Sequence, residues 1–291
     1  MTSPLKTRLD PRYGSRRLAD AASSEDVHAY FETQYYAAVN SGEKGVDIKR
    51  SLEGGKDAQR QRDWMASTLY ADIAWVITEH APGKRVLDAG CGTGDLLSDL
   101  VGRGFAASGA ELAPEAAATS RAKGHDVVEG PFEAYPDSER FDAILFMHVL
   151  SHAADPQRML EHARSLLNPG GIVVIRSGND FNAMQNVLSQ QMGHGDYWVT
   201  ADHQHYFGFE SANTLMQAAG FEPVYQQSDF PMEMIALMGD DFVGDPSLGR
   251  QAHEKRVAFE TRMPEEPRRR FYQALAAAGL GRCILVAGRV A

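Results

Sequence analysis

The sequence predicts an open α/β fold built on a mostly parallel sheet. Strand-like segments are short and almost wholly apolar, helical stripes alternate with them, and the first strand runs into a glycine-rich turn, "VLDAGCGTGDLL" at Val86–Leu97. Strands apolar on both faces are covered on both faces, and parallel neighbours need a helical crossover between them.

Residues 1–60 are polar, with aromatic pairs at Tyr30–Phe31 and Tyr35–Tyr36. The Gly- and charge-rich segment 40–62 reads as loop or loosely held helix. Trp64, Leu69, Ile73, Val76 and Ile77 can share one face of a helix that Pro82-Gly83 closes. Val86–Leu87 begins the first strand, and Leu96, Leu97, Leu100 and Val101 form the next helical stripe. Phe105–Ala110 reads as the second strand, ending in Glu111, and Pro114–Lys123 as a helix with proline in its first turn. His125–Val128 and "FDAILFM" (141–147) are the third and fourth strands. Asp155 caps a helix to Leu167, "NPGG" ends it, and "GIVVIR" is the fifth strand. A helix near 210–219, a strand over 221–228, a long stretch 229–280 and the apolar run "CILVAGRV" complete the chain.

Length allows one large domain, or one domain with an elaboration. The formal net charge of −10 argues against a general nucleic-acid binder. "RRR" at Arg268–Arg270, beside Glu265 and Glu266, reads as a solvated helix end, with a local basic pocket for an anionic substrate as the alternative. No apolar run approaches the roughly 20 residues of a membrane span, and no signal-peptide core is seen, so a cytoplasmic protein without membrane partner is expected. The two cysteines, Cys91 and Cys283, make no disulfide framework. Abundant arginine and alanine associate with a bacterial source.

In such a sheet, ligands bind at the carboxyl ends of the strands, near the point where strand order reverses. Glycines there let the backbone approach a ligand. Dinucleotide sites favour G-x-G-x-x-G; here the spacing is G-x-G-x-G, with Asp88 two residues before Gly90. That carboxylate would repel a pyrophosphate and suits a ligand carrying an ammonium group. Glu111, at the end of the second strand, can accept both hydroxyls of a ribose.

At these residues the chain resembles the class I S-adenosylmethionine-dependent methyltransferases, and most closely their small-molecule branch that includes the ubiquinone-type enzymes. "LDAGCGTG", Glu111, "FDAILFMHVLSH", "LLNPGGIVVI" and "DHQHYFGFESANTLMQAAGF" carry the resemblance, from about Lys84 to Phe221. It implies a Rossmann-like sheet, mostly parallel with the last strand antiparallel. It also implies Asp88 on the methionine ammonium, Gly90, Gly92 and Gly94 admitting the cofactor, and Glu111 on the ribose. Leu112, Phe132 and Met147 would lie around the adenosine. Pro131 stands where the family commonly has an aspartate for the adenine amine.

Methyl transfer needs alignment and, for OH or NH acceptors, loss of a proton. His148 and His152 follow the fourth strand and are the candidate bases; Ser151 stands where many relatives have a glutamate. His203, His205, Asn179, Tyr36 and Met234 are candidate acceptor contacts. His194, His203 and His205 with Asp196 and Asp202 could be drawn as a metal site, but lack tight ligand spacing, and no metal is expected. The organisation expected is an N-terminal helical lid over 1–80 and a methyltransferase domain over 81–291, with 229–280 as a helical lid inserted before the last strand. The expected activity is methyl transfer from S-adenosylmethionine, releasing S-adenosylhomocysteine, to an OH, NH or carbon of a small biosynthetic metabolite such as a natural-product intermediate. The chain would act as monomer or homodimer. The alternatives are an NAD(P)-dependent oxidoreductase and an inactive cofactor-binding partner subunit.

Overall fold

The computed structural model describes residues 5–42, 49 and 55–291; most of the Gly-rich segment expected to be loop or loose helix lies outside them. Seven strands form the main sheet: β3 (Arg85–Ala89), β4 (Ala106–Glu111), β5 (Val127–Glu129), β6 (Phe141–Met147), β7 (Leu167–Gly178), β9 (Phe221–Ser228) and β10 (Cys283–Val290). Their order is β5-β4-β3-β6-β7-β10-β9. β5 through β7 pair in parallel, whereas β10 runs antiparallel to both neighbours, as expected of the last strand. The chain leaves β3 in one direction through β4 and β5, then crosses back to β6 on the other side of β3. The carboxyl ends of β3 and β6 are therefore the switch point.

The apolar strands split residue by residue between two cores. Leu87, Ile144, Phe146, Val173 and Ile175 face one, with Met159, Leu160 and Ala163 of α7 (Pro156–Leu166) and Leu215 of α9 (Phe209–Ala218). Val86, Ala143, Leu145, Ile172 and Val174 face the other, with Ile73, Val76 and Ile77 of α4 (Leu69–His80) and Leu96 and Leu100 of α5 (Asp95–Gly102). Period-two alternation along each strand produces this division. Each fully buried aliphatic side chain contributes about 1.5–3 kcal/mol.

Several expectations are corrected. The helix from Trp64 is two, α3 (Gly55–Ser67) and α4, because Thr68 leaves helical geometry (φ −124°, ψ −93°) while its hydroxyl donates back to the Trp64 carbonyl. α4 is part of the core and not of a lid. Val101 is 48% exposed, since only Leu96, Leu97 and Leu100 of that stripe face inward. "NPGG" lies inside β7, where the pairing with β6 shifts register. The N-terminal segment is not wholly helical: β1 (Thr7–Leu9) and β2 (Arg16–Leu18) form a hairpin, and β8 (His205–Tyr206) adds to β2. α1 (Ser24–Thr33), with its Ser23–Asp26 capping box, and α2 (Tyr35–Ser41) follow. α6 (Pro114–Ala122) matches expectation, and α8 (Ala183–Gln190), capped by Asn182, is an element the sequence reading does not include. The stretch before β10 holds α10 (Met232–Leu237), α11 (Gly249–Arg262) and α12 (Glu265–Ala277). Among the described residues no helix is long and apolar enough to cross a membrane.

Candidate active site

At the end of β3 the N–H groups of Gly90 and Cys91 both donate to the Ala110 carbonyl, at 2.8 and 3.1 Å, which turns the chain over β4. Gly90 and Gly94 have φ of +82° and +79°, where an L side chain is strained. A Cβ at Gly90 would sit 2.5 Å from Val149 Cγ2, and one at Gly94 2.2 Å from Ser120 Oγ. Space and conformation together exclude a side chain at these two positions. Gly92, at φ +55°, has the Tyr36 hydroxyl as its nearest neighbour, 3.3 Å from where a Cβ would sit.

Two carboxylates flank the turn. Asp88 is 2% exposed, and its Oδ1 has no hydrogen-bond partner among the described residues. Burial, helped by nearby Glu111, pushes its carboxyl up to about 7. An orphaned buried carboxylate beside a cavity calls for a cation, and the methionine ammonium meets that need. Glu111 accepts from Gly92 N at 2.7 Å and Ala113 N at 2.8 Å. Burial raises its pKa and these N–H groups oppose the rise. Each oxygen keeps a second lone pair for a ribose hydroxyl.

Two cavities of about 370 Å3 each meet at this turn. They share Tyr36, Gly90, Gly92, Met147 and His148. One is bounded by Glu111, Leu112, Gly130 and Phe132, with Phe31 and Tyr35 from α1 and α2 closing it. The other runs from Asp88 past Tyr70 to a wall of Arg176, Asp229, Arg256, Glu260 and Tyr272. The first has the apolar plates and carboxylate an adenosine needs, and the second begins at the orphaned aspartate. The residues present thus fit S-adenosylmethionine end to end. Phe132 is buried with its ring edge-on to Phe146, so the Pro131 departure leaves this apolar plate in place.

The fourth-strand histidines differ in setting. His148 sits at φ +60°. Its N–H donates to the Arg176 carbonyl at 2.8 Å, and its Nε2 accepts from Arg176 Nε at 3.2 Å. Burial first, and then Arg176, hold its pKa down at about 3. The ring is therefore neutral, with its proton on Nδ1 and its lone pair already engaged. The His152 ring lies edge-on to Phe31 and His203, with Nδ1 2.8 Å from the Asp202 carbonyl. Ser151 is buried, its hydroxyl 2.6 Å from that of Ser177.

The far wall is a chain of buried charges. Asp229 accepts from Arg176 at 2.8 Å, Arg256 at 3.1 Å and the Cys283 N–H at 2.7 Å. Burial would raise its pKa, but Arg256 and Arg176 more than offset that and bring it to about 2. Glu260 accepts from Trp64 Nε1 at 2.8 Å, Tyr272 OH at 2.6 Å and Arg256 Nε at 3.2 Å. Asp72 gathers Arg269, Arg268 and Gln227. Sequence reasoning missed this wall, and the reading of "RRR" as a solvated helix end is corrected. Arg268 and Arg269 are 1% and 7% exposed, and only Arg270 faces solvent, beside Glu266. A signal existed: Arg268, Tyr272 and Ala276 share one i, i+4 stripe of α12.

Of the expected acceptor contacts, Tyr36 lines both cavities and the other four line neither. Asn179 donates its amide to the Gly279 and Gly281 carbonyls, tying β7 to the turn before β10. His205 is fully buried against Phe207, and Met234 packs beside Phe230 and Ile235. His203 stands next to His152. The metal grouping drawn from His194, His203 and His205 does not assemble: His194 pairs with Asp241 at 2.9 Å and His205 is enclosed elsewhere.

The fold and the site define an S-adenosylmethionine-dependent methyltransferase. Residues 57–226 match the family model described as a methyltransferase domain, and the chain belongs to that family. A ubiquinone biosynthesis O-methyltransferase of Cereibacter sphaeroides is 32% identical over 181 residues, 56% of this chain and 70% of its own length. A second, from Coxiella burnetii, is 35% identical over 98 residues, 31% of this chain and 41% of its own length. Among solved structures, the 1,6-didemethyltoxoflavin-N1-methyltransferase of Burkholderia thailandensis is similar with a TM-score of 0.55 at 16% identity, covering 98% of this chain and 99% of that one. A SAM-dependent methyltransferase of Archaeoglobus fulgidus gives 0.53 at 14% identity, covering 88% and 99%.

Proposed function

We propose that this chain methylates an oxygen or nitrogen of a small biosynthetic metabolite, with carbon the next candidate. The observation that carries the reading is the cavity running from Asp88 to the Arg176–Asp229–Arg256–Glu260 wall, with His148 where it meets the adenosine side. It offers a half-open chamber, apolar over most of its lining and charged at its far wall, next to the amino-acid end of the cofactor. The similarity to ubiquinone biosynthesis O-methyltransferases supports an oxygen acceptor.

When bound, S-adenosylmethionine supplies an electrophilic methyl group on sulfonium. Asp88 would hold its ammonium and Glu111 its ribose, with Leu112, Phe132 and Met147 around the adenine and Gly90, Gly92 and Gly94 leaving room. Tyr36 would close the site from the N-terminal side. His148 is assigned an orienting part: with Nε2 accepting from Arg176, its Nδ1–H can donate to the acceptor but its ring is a poor proton acceptor. Alignment then carries most of the rate, in keeping with a substitution at carbon that needs collinear groups. His152, on the adenosine-side cavity, is the remaining base candidate.

Calorimetric titration with S-adenosylhomocysteine, alongside NADH, tests the cofactor assignment. Binding of the first and not the second is expected; the reverse result refutes it in favour of an oxidoreductase. Release of S-adenosylhomocysteine across a panel of phenols, amines and enolisable ketones tests the acceptor class. No turnover with any panel member, despite tight cofactor binding, would favour the inactive-partner reading.

A further inference from the structure

We propose that His152, Asp202 and His203 form a binding site for one divalent transition-metal ion at the rim of the adenosine-side cavity. One ligand atom from each of the three lies within 4.8 Å of the others. Two imidazoles and one carboxylate are the donor set that suits zinc or iron and leaves coordination positions open. The grouping drawn from sequence held Asp202 and His203 but not His152; folding assembles this trio from two segments 50 residues apart.

The segments are held together independently of the trio's side chains. Gln204 N and His205 N both donate to the Ser151 carbonyl, at 2.7 and 3.0 Å, and β8 docks the same loop onto β2. Backbone bonds thus place the two ligand-bearing stretches before any ion arrives. The His152 ring is also fixed in orientation. With Nδ1 against the Asp202 carbonyl at 2.8 Å, the proton belongs on Nδ1 and the lone pair on Nε2, the arrangement that orients metal-binding histidines elsewhere. The two rings stand edge to face with centroids 4.7 Å apart, as adjacent ligands on one ion would. Ligands on a sphere of about 2.1 Å radius sit roughly 3–3.5 Å apart, a closure that side-chain rotation supplies. His152 also lines the cavity and packs on Phe31 of α1. An ion here would brace the covering helix against the fourth-strand loop, its open positions at the cavity rim.

The proposal concerns metal binding and does not depend on which acceptor is methylated, or on methylation at all. The full chain, stripped with chelator, is titrated calorimetrically with Zn2+, and separately with Co2+ while visible absorption is recorded. Binding of one equivalent with cobalt d–d bands is expected. His203→Gln and Asp202→Asn should each weaken Zn2+ binding by more than about 100-fold, beyond the loss typical of an outer-shell change. His194→Gln, which breaks the His194–Asp241 pair, should leave it unchanged. S-adenosylhomocysteine titration of each variant confirms that it is folded, and a variant that fails is replaced by His203→Ala or Asp202→Ala. Absence of stoichiometric binding overturns the proposal, as does binding that survives both trio variants or is lost with His194→Gln.

Discussion

The two cavities meeting at the glycine turn are built on opposite principles. The cofactor side is assembled mostly from one stretch of chain, β3, its turn, β4 and the residues after β5 and β6, with α1 and α2 closing over it. At the junction with the second cavity, Asp88 Oδ1 has no hydrogen-bond partner among the described residues. The far wall is assembled from five places in the chain, and its carboxylates Asp72, Asp229 and Glu260 are each surrounded by donors. One side leaves a charge unanswered for a ligand to answer, and the other satisfies its charges internally and offers a rigid surface. Substitutions should therefore act differently on the two: through affinity on the first, through folding on the second.

The sharpest division is expected at Asp229. Asp229→Ala leaves Arg176 and Arg256 buried without the carboxylate they share, a situation that costs about 3–5 kcal/mol. Urea unfolding should show that loss of stability. An unchanged midpoint would mean that the wall is not the structural unit described.

On the cofactor side, Glu111→Gln keeps shape and removes charge. Hydrogen bonds to a charged group are worth about 1.5–3 kcal/mol, so S-adenosylhomocysteine affinity should fall by roughly 10- to 100-fold. Calorimetry measures it. A change within a factor of two would remove Glu111 from the ribose site and blur the contrast between the halves.

The same contrast explains what could be read from sequence. Strands β6 and β10 match the apolar runs residue for residue, because a strand covered on both faces announces itself through continuous hydrophobicity. The glycine turn with Asp88 and Glu111 was legible because its contacts are local. β1, β2 and β8 are two or three residues long, too short for alternation to register. The wall was invisible for a different reason: that Arg256 would meet Asp229 depends on how α11 packs against α3 and α10, and composition assigns arginines to solvent by default. Tyr36 lines both cavities, whereas Asn179 was read from its place after the fifth strand, Met234 from the tail and His205 from a histidine-rich loop, none of which says where a side chain points.

The smallest expected effect is a pH dependence at Asp88, and it separates ligand service from fold service at one residue. Its folded pKa of about 7 stands above the ordinary 3.8. Between those values the native state holds a proton that the unfolded chain has released, so the ligand-free protein loses stability as pH rises, and the loss is complete above 7. Binding a cationic amino group needs the ionised form. Below pH 7, affinity for S-adenosylhomocysteine should therefore fall by about tenfold per pH unit, about 1.4 kcal/mol each, and level off above 7. Each binding event at pH 6 should release close to one proton, visible as a dependence of the calorimetric enthalpy on buffer ionisation heat. Asp88→Asn should bind weakly with no such slope, yet unfold at higher urea than the parent at pH 8, because the buried charge is gone. A flat affinity profile in the parent from pH 6 to 8 would detach Asp88 from the ammonium. An Asn variant less stable than the parent at pH 8 would show that the carboxylate serves the fold after all, and that the two halves of the site are built alike.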